Sequence, residues 1–456
     1  MDSPGAALPS QLDLRDLAFG IHDNWPKATL AEPGPVDVVD MFSGCGGMSS
    51  GFLSVNAVRP SFRLAMAVDI DAVANATYER NLGLAPLRLD VSKLSSDPAR
   101  IEQILTASGR RSGNPLVLIG CAPCQGFSSH RNAAGQSDLR NTLFVDFARI
   151  AVALRPDAVV VENVPELLTD RYWPILEEAR GILAAAGYST YLGVHNLAEF
   201  GVPQERFRAL LLAMPHRFEP PAGFLTRASF RTVRDAIGTL PFIRAGEASP
   251  ADPTHRTAGH RPETIATIQA VPLDGGNRPV NVGPDSLRRI RERQGRGGYD
   301  DVYGRLRWDR PSITITAYSR NPASGRYVHP VQDRGLSIRE AALLQGFPRS
   351  YEFAGTLDEA FRQIGNAVPP AFAACLAGHV LNELAKPPAA GAPEATGIRA
   401  PVGSSFARLI AGLKSGHLGL TASGVENVAE GPSQRSHRAG LVGAAPRVPE
   451  PMPAGG

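Results

Sequence analysis

Cysteine is scarce in this chain: four in 456 residues. That is too few for a disulfide framework, so the chain reads as a reduced, cytosolic protein. Lysine is equally sparse, with Lys27, Lys93, Lys386 and Lys414 the only ones among 47 basic residues. Arginine suits phosphate and guanine-edge contacts, though GC-rich codons produce the same bias. No apolar run reaches the length of a membrane span. Met1-Asp-Ser-Pro-Gly5 lacks the basic region and apolar core of a secretory signal. A net charge of +3 identifies no partner. Hydrophobic residues are plentiful, at 43%, enough for a sizeable core. The length fits one large domain with a smaller one, or two domains.

Residues 1–34 are mixed in character and read as a leader. From Val36 apolar strands alternate with helical stretches. Strands are expected at Val36–Phe42, Leu64–Val68, Leu116–Ile119, Ala158–Val161 and Ala209–Ala213. Helices are expected after Gly51, over Ala72–Asn81 and over Leu143–Leu154. That alternation implies an α/β fold with a doubly wound, mostly parallel sheet over residues 35–214. Over 215–325 the periodicity weakens and Pro, Gly, His and Arg rise, as in a smaller, irregular domain. Regular patterning returns over 326–386, with helices at Ser337–Gln345 and Pro370–Leu384. Residues 387–456 are rich in Ala, Gly, Pro and Ser and read as a disordered tail, with one short helix available at Phe406–Leu413.

The strand Leu116–Ile119 runs into Gly120-Cys-Ala-Pro-Cys-Gln-Gly-Phe-Ser128. A cysteine in a Pro-stiffened loop at a strand end stands where open α/β sheets bind ligands. Such a place suits a nucleophile. Buried packing, or a redox or metal pair Cys121-x-x-Cys124, are the alternatives. Upstream, Asp40-Met-Phe-Ser-Gly44-Cys-Gly46-Gly47 follows the first strand and opens a helix, where backbone can approach a ligand closely. Ser49 stands where the third glycine of a dinucleotide fingerprint would be. Asp69 follows the second strand and can accept from ribose hydroxyls. Asp90 could end a third strand and face an adenine amino group. Together, in this order, they favour an adenosine-containing cofactor. Downstream, Glu162-Asn163-Val164 ends a strand. Burial there favours a protonated carboxyl, able to donate a proton. In Gln204-Glu-Arg206-Phe-Arg208, extended backbone would put Gln204, Arg206 and Arg208 on one face. Gln363-Ile-Gly-Asn366 makes a polar turn before an apolar helix.

In this order the motifs resemble those of the cytosine-C5 DNA methyltransferases, over roughly residues 36–385. Pro123-Cys124-Gln125, Glu162-Asn163-Val164 and Gln204-x-Arg206-x-Arg208 carry the likeness, with Arg339-Glu340, Gln345-Gly-Phe-Pro348 and Gln363-x-Gly-Asn366. Asp69 departs from the family's usual Glu.

The resemblance implies a Rossmann-like methyltransferase sheet that binds S-adenosylmethionine and no metal. Phe42, Ser43, Gly44, Gly46, Gly47, Asp69, Ile70, Asp90, Val91, Pro123 and Asn366 would border that donor. Cys124 would add to C6 of cytosine, and Glu162 would protonate N3. Arg208 would hold O2 of the base, and Arg206 the base and its phosphate. Gln125, Ser128, Asn163 and Gln204 would contact DNA. Residues 215–325 would recognise the target sequence, with the run Arg288, Arg289 and Arg291 on phosphates, and with His255, His260, Arg261 and Arg278 nearby. Asn366 would brace the interdomain turn. Duplex DNA is the expected partner of a monomeric, nucleoid-associated cytoplasmic protein, with a restriction endonuclease acting separately. A dithiol oxidoreductase would leave Glu-Asn-Val and the arginines unused. An RNA methyltransferase would not need so long a recognition segment. A non-catalytic DNA binder would not need the catalytic side chains.

Overall fold

The computed structural model describes residues 12–21, 25, 34–111, 113–121, 143–285, 301–389, 391–398 and 410–412. Pro123, Cys124, Gln125, Ser128, Arg288, Arg289 and Arg291 lie outside the described residues. The strands are β1 Val36–Met41, β2 Phe62–Val68, β3 Leu116–Gly120, β4 Ala158–Asn163, β5 Ser189–Asn196, β6 Phe207–Met214, β7 Ala248–Ser249, β8 Asp252–Arg256 and β9 Ala395–Gly397. The helices that matter below are α1 Leu14–Gly20, α2 Gly47–Ser54, α3 Ala72–Leu82, α4 Val91–Leu94, α5 Pro98–Ala107, α6 Leu143–Leu154, α7 Trp173–Ala185, α8 Val233–Ile237, α9 Pro262–Gln269, α10 Ile338–Leu344, α11 Leu357–Asn366 and α12 Pro370–Leu384.

Seven strands form one sheet in the order β2-β1-β3-β4-β6-β5-β9. The pairs β1–β2, β1–β3 and β3–β4 are parallel, and β6 runs antiparallel between β4 and β5. Parallel strands are covered on both faces, which is why their sequences are almost continuously apolar. Successive residues serve opposite faces. Val38, Val160, Leu210 and Leu212 join the core on one face, with α2, α10, α11 and α12. Val39, Val159, Val161 and Leu211 join the core on the other, with α5, α6 and α7. The chain winds from β1 to β2 on one side and reaches β3 on the other, so the switch point of the sheet lies between β1 and β3.

Helix α2 approaches the closing helix α12 at backbone distance. A Cβ on Gly47 would strike the carbonyl of Val368, and one on Gly51 the Cβ of Ala373. The stretch Leu357–Leu384 is long and apolar enough to cross a membrane, but 94% of its most apolar window is buried inside the protein. Its helix breaks at Ala367–Pro369.

Four expectations change. Part of the leader belongs to the core: α1 packs on α12, Leu17, Ala18 and Ile21 are buried, and Leu12 N–H donates to Asn382 Oδ1 at 3.0 Å. Part of the tail does too, because β9 pairs in parallel with Thr190–Leu192 of β5, and Ile410 packs on the α6–α7 side. The segment 215–325 is only partly separate. Val233, Ala236, Ile237, Leu306 and Ile315 share the main core, while Ile268, Val271, Val302, Tyr303 and Val328 form a small one of their own. Ser312 already pairs with Gln204, so the return to the main body begins there. The expected third strand is a single bridge, Val68 with Leu87. Asp90 caps α4 instead, its carboxylate accepting from Ser92 N–H at 3.1 Å and Ser92 Oγ at 2.7 Å.

Candidate active site

One row of residues crosses the sheet at its carboxyl edge. Met41 pairs with Val68 and with Gly120, and Gly120 pairs with Val161. The next residues along those strands are Phe42, Asp69, Cys121 and Glu162. The register therefore brings the glycine loop, the first acid, the cysteine loop and the second acid to one line, though they span more than a hundred residues of sequence. Cys121, at the mouth of the loop, packs its Sγ 3.9 Å from Met48 Sδ as a core neighbour.

The glycine loop divides its work. Gly46 has φ 88°, a left-handed backbone, and a Cβ there would meet Leu82 at 2.7 Å and Tyr351 at 2.9 Å. Gly46 and Gly47 thus face protein, not open space. Gly44, at φ 51°, has nothing within 4 Å of where a Cβ would stand. Its N–H donates to Asp69 Oδ2 at 2.8 Å, and Asp71 N–H donates to Oδ1 at 2.8 Å. Burial raises the Asp69 carboxyl above its usual range, against those hydrogen bonds. Ser43 Oγ is buried and, among the described residues, without a hydrogen-bond partner. Ile70 is 63% exposed, an unusual state for isoleucine. Val91 is buried in the core and presents no surface.

Beneath the loop lies an acid that the sequence did not single out. Asp40 is buried, Ser49 Oγ donates to its Oδ2 at 2.5 Å, and Tyr78 Oη donates to Ser49 Oγ at 2.8 Å. Burial pushes the Asp40 carboxyl up to about 8, so it is neutral at pH 7. An unfolded aspartic acid ionises near 3.8. The stabilisation from burying the neutral acid is fully present below that value and lost as pH rises through about 8. Asp40→Asn, which cannot ionise, should gain on the parent as pH rises from 4 to 8, by at most about 1.4 kcal/mol per unit. Melting temperatures across that range check this, and parallel curves would disprove it.

On the other side of the cysteine loop, Arg208 Nε lies 2.9 Å from Glu162 Oε1, and both residues are largely buried. Arg208 also donates from its Nη1 to the Phe207 carbonyl at 2.7 Å. Asn163 is buried next to Glu162 and accepts from Val164 N–H through its Oδ1 at 2.8 Å.

Gln204 and Arg206 do not share that site. Strand β6 starts at Phe207, so the three polar residues do not lie on one pleated face. Gln204 is fully buried: its Nε2 donates to the Leu344 carbonyl at 3.1 Å and to Gln345 Oε1 at 2.8 Å, and its Oε1 accepts from Ile315 N–H at 2.8 Å. Arg206 is 2% exposed and donates to the carbonyls of Ile315, Gly365 and Ala367 at 3.0, 3.2 and 3.4 Å. Both fasten the 312–316 strip and the α11–α12 turn to the main body. Gln345 Nε2 donates to the Ala367 carbonyl at 2.7 Å. This turn is braced by Arg206 and Gln345, while Asn366, expected to brace it, is exposed at the end of α11.

The same fate meets several polar residues expected at DNA. His255 is fully buried, hydrogen-bonded to Ser337 Oγ and the Pro241 carbonyl, each at 2.8 Å. His260 Nε2 accepts from Gly335 N–H at 3.0 Å. Arg278 is buried and donates to the Val282 carbonyl at 2.5 Å. Arg334 and Glu340 form a buried, two-pronged ion pair at 2.7 Å, which holds the Glu340 carboxyl down at about 2 despite its burial. Arg261 sits at the N-terminal end of α9, with its backbone outside the helix. Among the described residues no group of three His, Cys, Asp or Glu could hold a metal.

A doubly wound sheet with a glycine loop after β1 and an acid after β2 places the chain in the class of nucleoside-binding α/β folds. Residues 36–382 match the model of the C-5 cytosine-specific DNA methylases, and the chain belongs to that family. It is a DNA (cytosine-5) methyltransferase. It is 31% identical to the type II methylase M.HgiDII of Herpetosiphon aurantiacus over 75% of this chain and 93% of that one. It is 33% identical to the type II methyltransferase M1.HphI of Haemophilus parahaemolyticus, over 75% and 86%. Among solved structures it is similar to a prophage-encoded DNA modification methyltransferase of E. coli, with TM-score 0.56 and 25% identity over 77% of this chain and all of that one.

Proposed function

We propose that this enzyme methylates C5 of a cytosine flipped out of one specific duplex DNA sequence, through a covalent bond between Cys124 and C6. The observation that carries the reading is the row at the sheet edge. It aligns the open side of Gly44 and Asp69, the strand leading into Pro123-Cys124-Gln125, and the Glu162–Arg208 pair. The target carbon is out of reach inside a duplex, so the base must leave the stack.

The residues fit S-adenosylmethionine. Gly44 leaves space where a side chain would intrude, Ser43 Oγ is a hydroxyl without a partner among the described residues, Asp69 can take ribose hydroxyls, and exposed Ile70 offers an apolar face to an adenine. When bound, it supplies an electrophilic methyl group on sulfonium. The thiolate of Cys124 adds to C6, which makes C5 nucleophilic. Glu162 gives a proton to N3 as the sulfur–carbon bond forms, so negative charge does not build up on the ring. In this reading Arg208, 2.9 Å from Glu162, orients that carboxyl and donates to O2 of the base. A base takes the C5 proton, its electron pair re-forms the C5–C6 double bond as the sulfur–carbon bond breaks to release the Cys124 thiolate, and N3 returns its proton to Glu162.

Type II methylases among the relatives support a role in restriction and modification. In such a role a cognate endonuclease would act separately on the same sequence. Bisulfite sequencing of DNA from cells expressing the protein tests the reading. The expected result is 5-methylcytosine confined to one short sequence motif. Unmodified DNA would overturn it.

A further inference from the structure

No step of the reaction uses Arg339, although it stands in one of the motifs that carry the family likeness. It is the second residue of α10 and is buried. Its guanidinium serves two partners. Nε and Nη2 donate to Asp252 Oδ2 and Oδ1 at 2.7 and 3.2 Å, and Nη1 donates to the Tyr351 carbonyl at 2.8 Å. Asp252 opens β8, inside the segment expected to read DNA. Thr254 N–H donates to the same carboxylate at 3.0 Å, and His255 ties β8 to Ser337, the N-cap of α10. A planar fork shared between a carboxylate and a carbonyl fixes the one relative to the other.

Tyr351 carries this contact on to the glycine loop. It is fully buried, and its ring packs on Phe347 and Phe353 with centroids 4.8 and 5.5 Å away, so the hydroxyl has a fixed place. That Oη donates to the Cys45 carbonyl at 2.6 Å. Cys45 is buried between Gly44, whose N–H meets Asp69, and Gly46, where a Cβ would stand 2.9 Å from the same Tyr351 hydroxyl. The phenol therefore closes the protein side of the loop, while the loop stays open at Gly44.

We propose that Asp252, Arg339 and Tyr351 are positioning residues which hold the glycine loop in its donor-binding shape, so that a carboxylate of the DNA-reading segment sets the affinity for the methyl donor. This rests on the functional reading above, in which the loop seats S-adenosylmethionine. A preformed loop binds without the cost of ordering it. Loss of the Tyr351 hydroxyl leaves a buried carbonyl without its donor, and the loop must shift to recover one. Loss of the Asp252 charge loosens Arg339, and the slack reaches the loop through Tyr351. The groups that act on the cytosine are untouched by either change.

The test is calorimetric binding of S-adenosylhomocysteine to the full-length parent, Y351F, D252N and the double variant, with steady-state methylation of duplex DNA alongside. The expected result is binding at least about fivefold weaker in Y351F and about threefold weaker in D252N. The double variant should bind within about twofold of Y351F, since both changes act through one contact. The KM for the donor should rise in step, with kcat at saturating donor within about twofold of the parent. Lost stability alone would lower the amount of competent protein and leave the Kd unmoved. An unchanged Kd in Y351F, or two effects that multiply in the double variant, would overturn the inference. Should Y351F fail to fold, D252N decides: a weaker Kd upholds the inference and the parental value overturns it. A parent that binds no S-adenosylhomocysteine instead overturns the functional reading, and this inference with it.

Discussion

Cys124→Ser should lower methyl transfer to duplex DNA by at least about 1,000-fold, a loss of roughly 4 kcal/mol of transition-state stabilisation. Serine keeps the size and shape of the side chain but not its acidity. A thiol ionises readily beside positive charge or N–H dipoles, and a hydroxyl does not. Without a nucleophile at C6 the pyrimidine ring remains a poor nucleophile at C5. DNA binding should survive, since phosphate and groove contacts do not need the sulfur. Labelled methyl transfer and gel-shift assays separate these outcomes. A second measurement uses DNA carrying 5-fluorocytosine at the target. Fluorine cannot leave C5 as a proton does, so the parent should stay bonded to DNA under denaturing conditions, and C124S should not. Retained transfer in C124S would sink the covalent mechanism.

Arg206→Leu should destabilise the fold by about 2–5 kcal/mol, because it leaves buried carbonyls without their donor. The carbonyls of Ile315 and Gly365 are the clearest losers, while that of Ala367 retains Gln345. Arg206→Lys should rescue little, since one ammonium cannot reach the spread of acceptors that a planar guanidinium serves. Thermal or urea unfolding checks this. The opposite pattern, unchanged unfolding with a raised KM for DNA, would restore Arg206 to the base-binding role that its motif suggests. The distinction matters because loss of activity in this variant would otherwise be misread as loss of a catalytic group.

Those two residues mark two kinds of sequence signal. Cys124 lies outside the described residues, and the expectation for it rests on a local signal, a Pro-stiffened loop after an apolar strand. Strands β1 to β4 and β6 were legible because burial on both faces leaves mostly apolar runs, broken only by Asp37 and Asp40 in β1, Arg63 in β2, Glu162 and Asn163 at the end of β4, and Arg208 in β6. Arg206 and Gln204 were misplaced because a sequence shows that a side chain is polar, not whether it has partners. Their acceptors at 315, 345 and 365 are more than a hundred residues away. Strand β5 was missed because Ser189-Thr-Tyr-Leu-Gly-Val-His-Asn196 carries too many polar residues to read as buried. Its Tyr191 Oη and His195 Nε2 satisfy each other at 3.1 Å, which lets them sit inside. The His195 imidazole is accordingly pushed down to about 4 by burial.

The strand β9 carries a consequence for handling the enzyme. It lies on the outer edge of the sheet, where Thr190–Leu192 would otherwise present free backbone donors and acceptors. Its seat admits little variation: a Cβ on Gly397 would collide with the Leu192 carbonyl. Arg180 fastens it through the Thr396 carbonyl at 3.2 Å, and Ser189 Oγ accepts from Glu394 N–H at 3.2 Å. A chain shortened at Ala385 keeps every residue of the family match, which ends at 382. It nevertheless bares a ready template for strand addition by a second molecule. Trimming by homology alone therefore risks clumping at high concentration, in a protein whose catalytic parts remain intact.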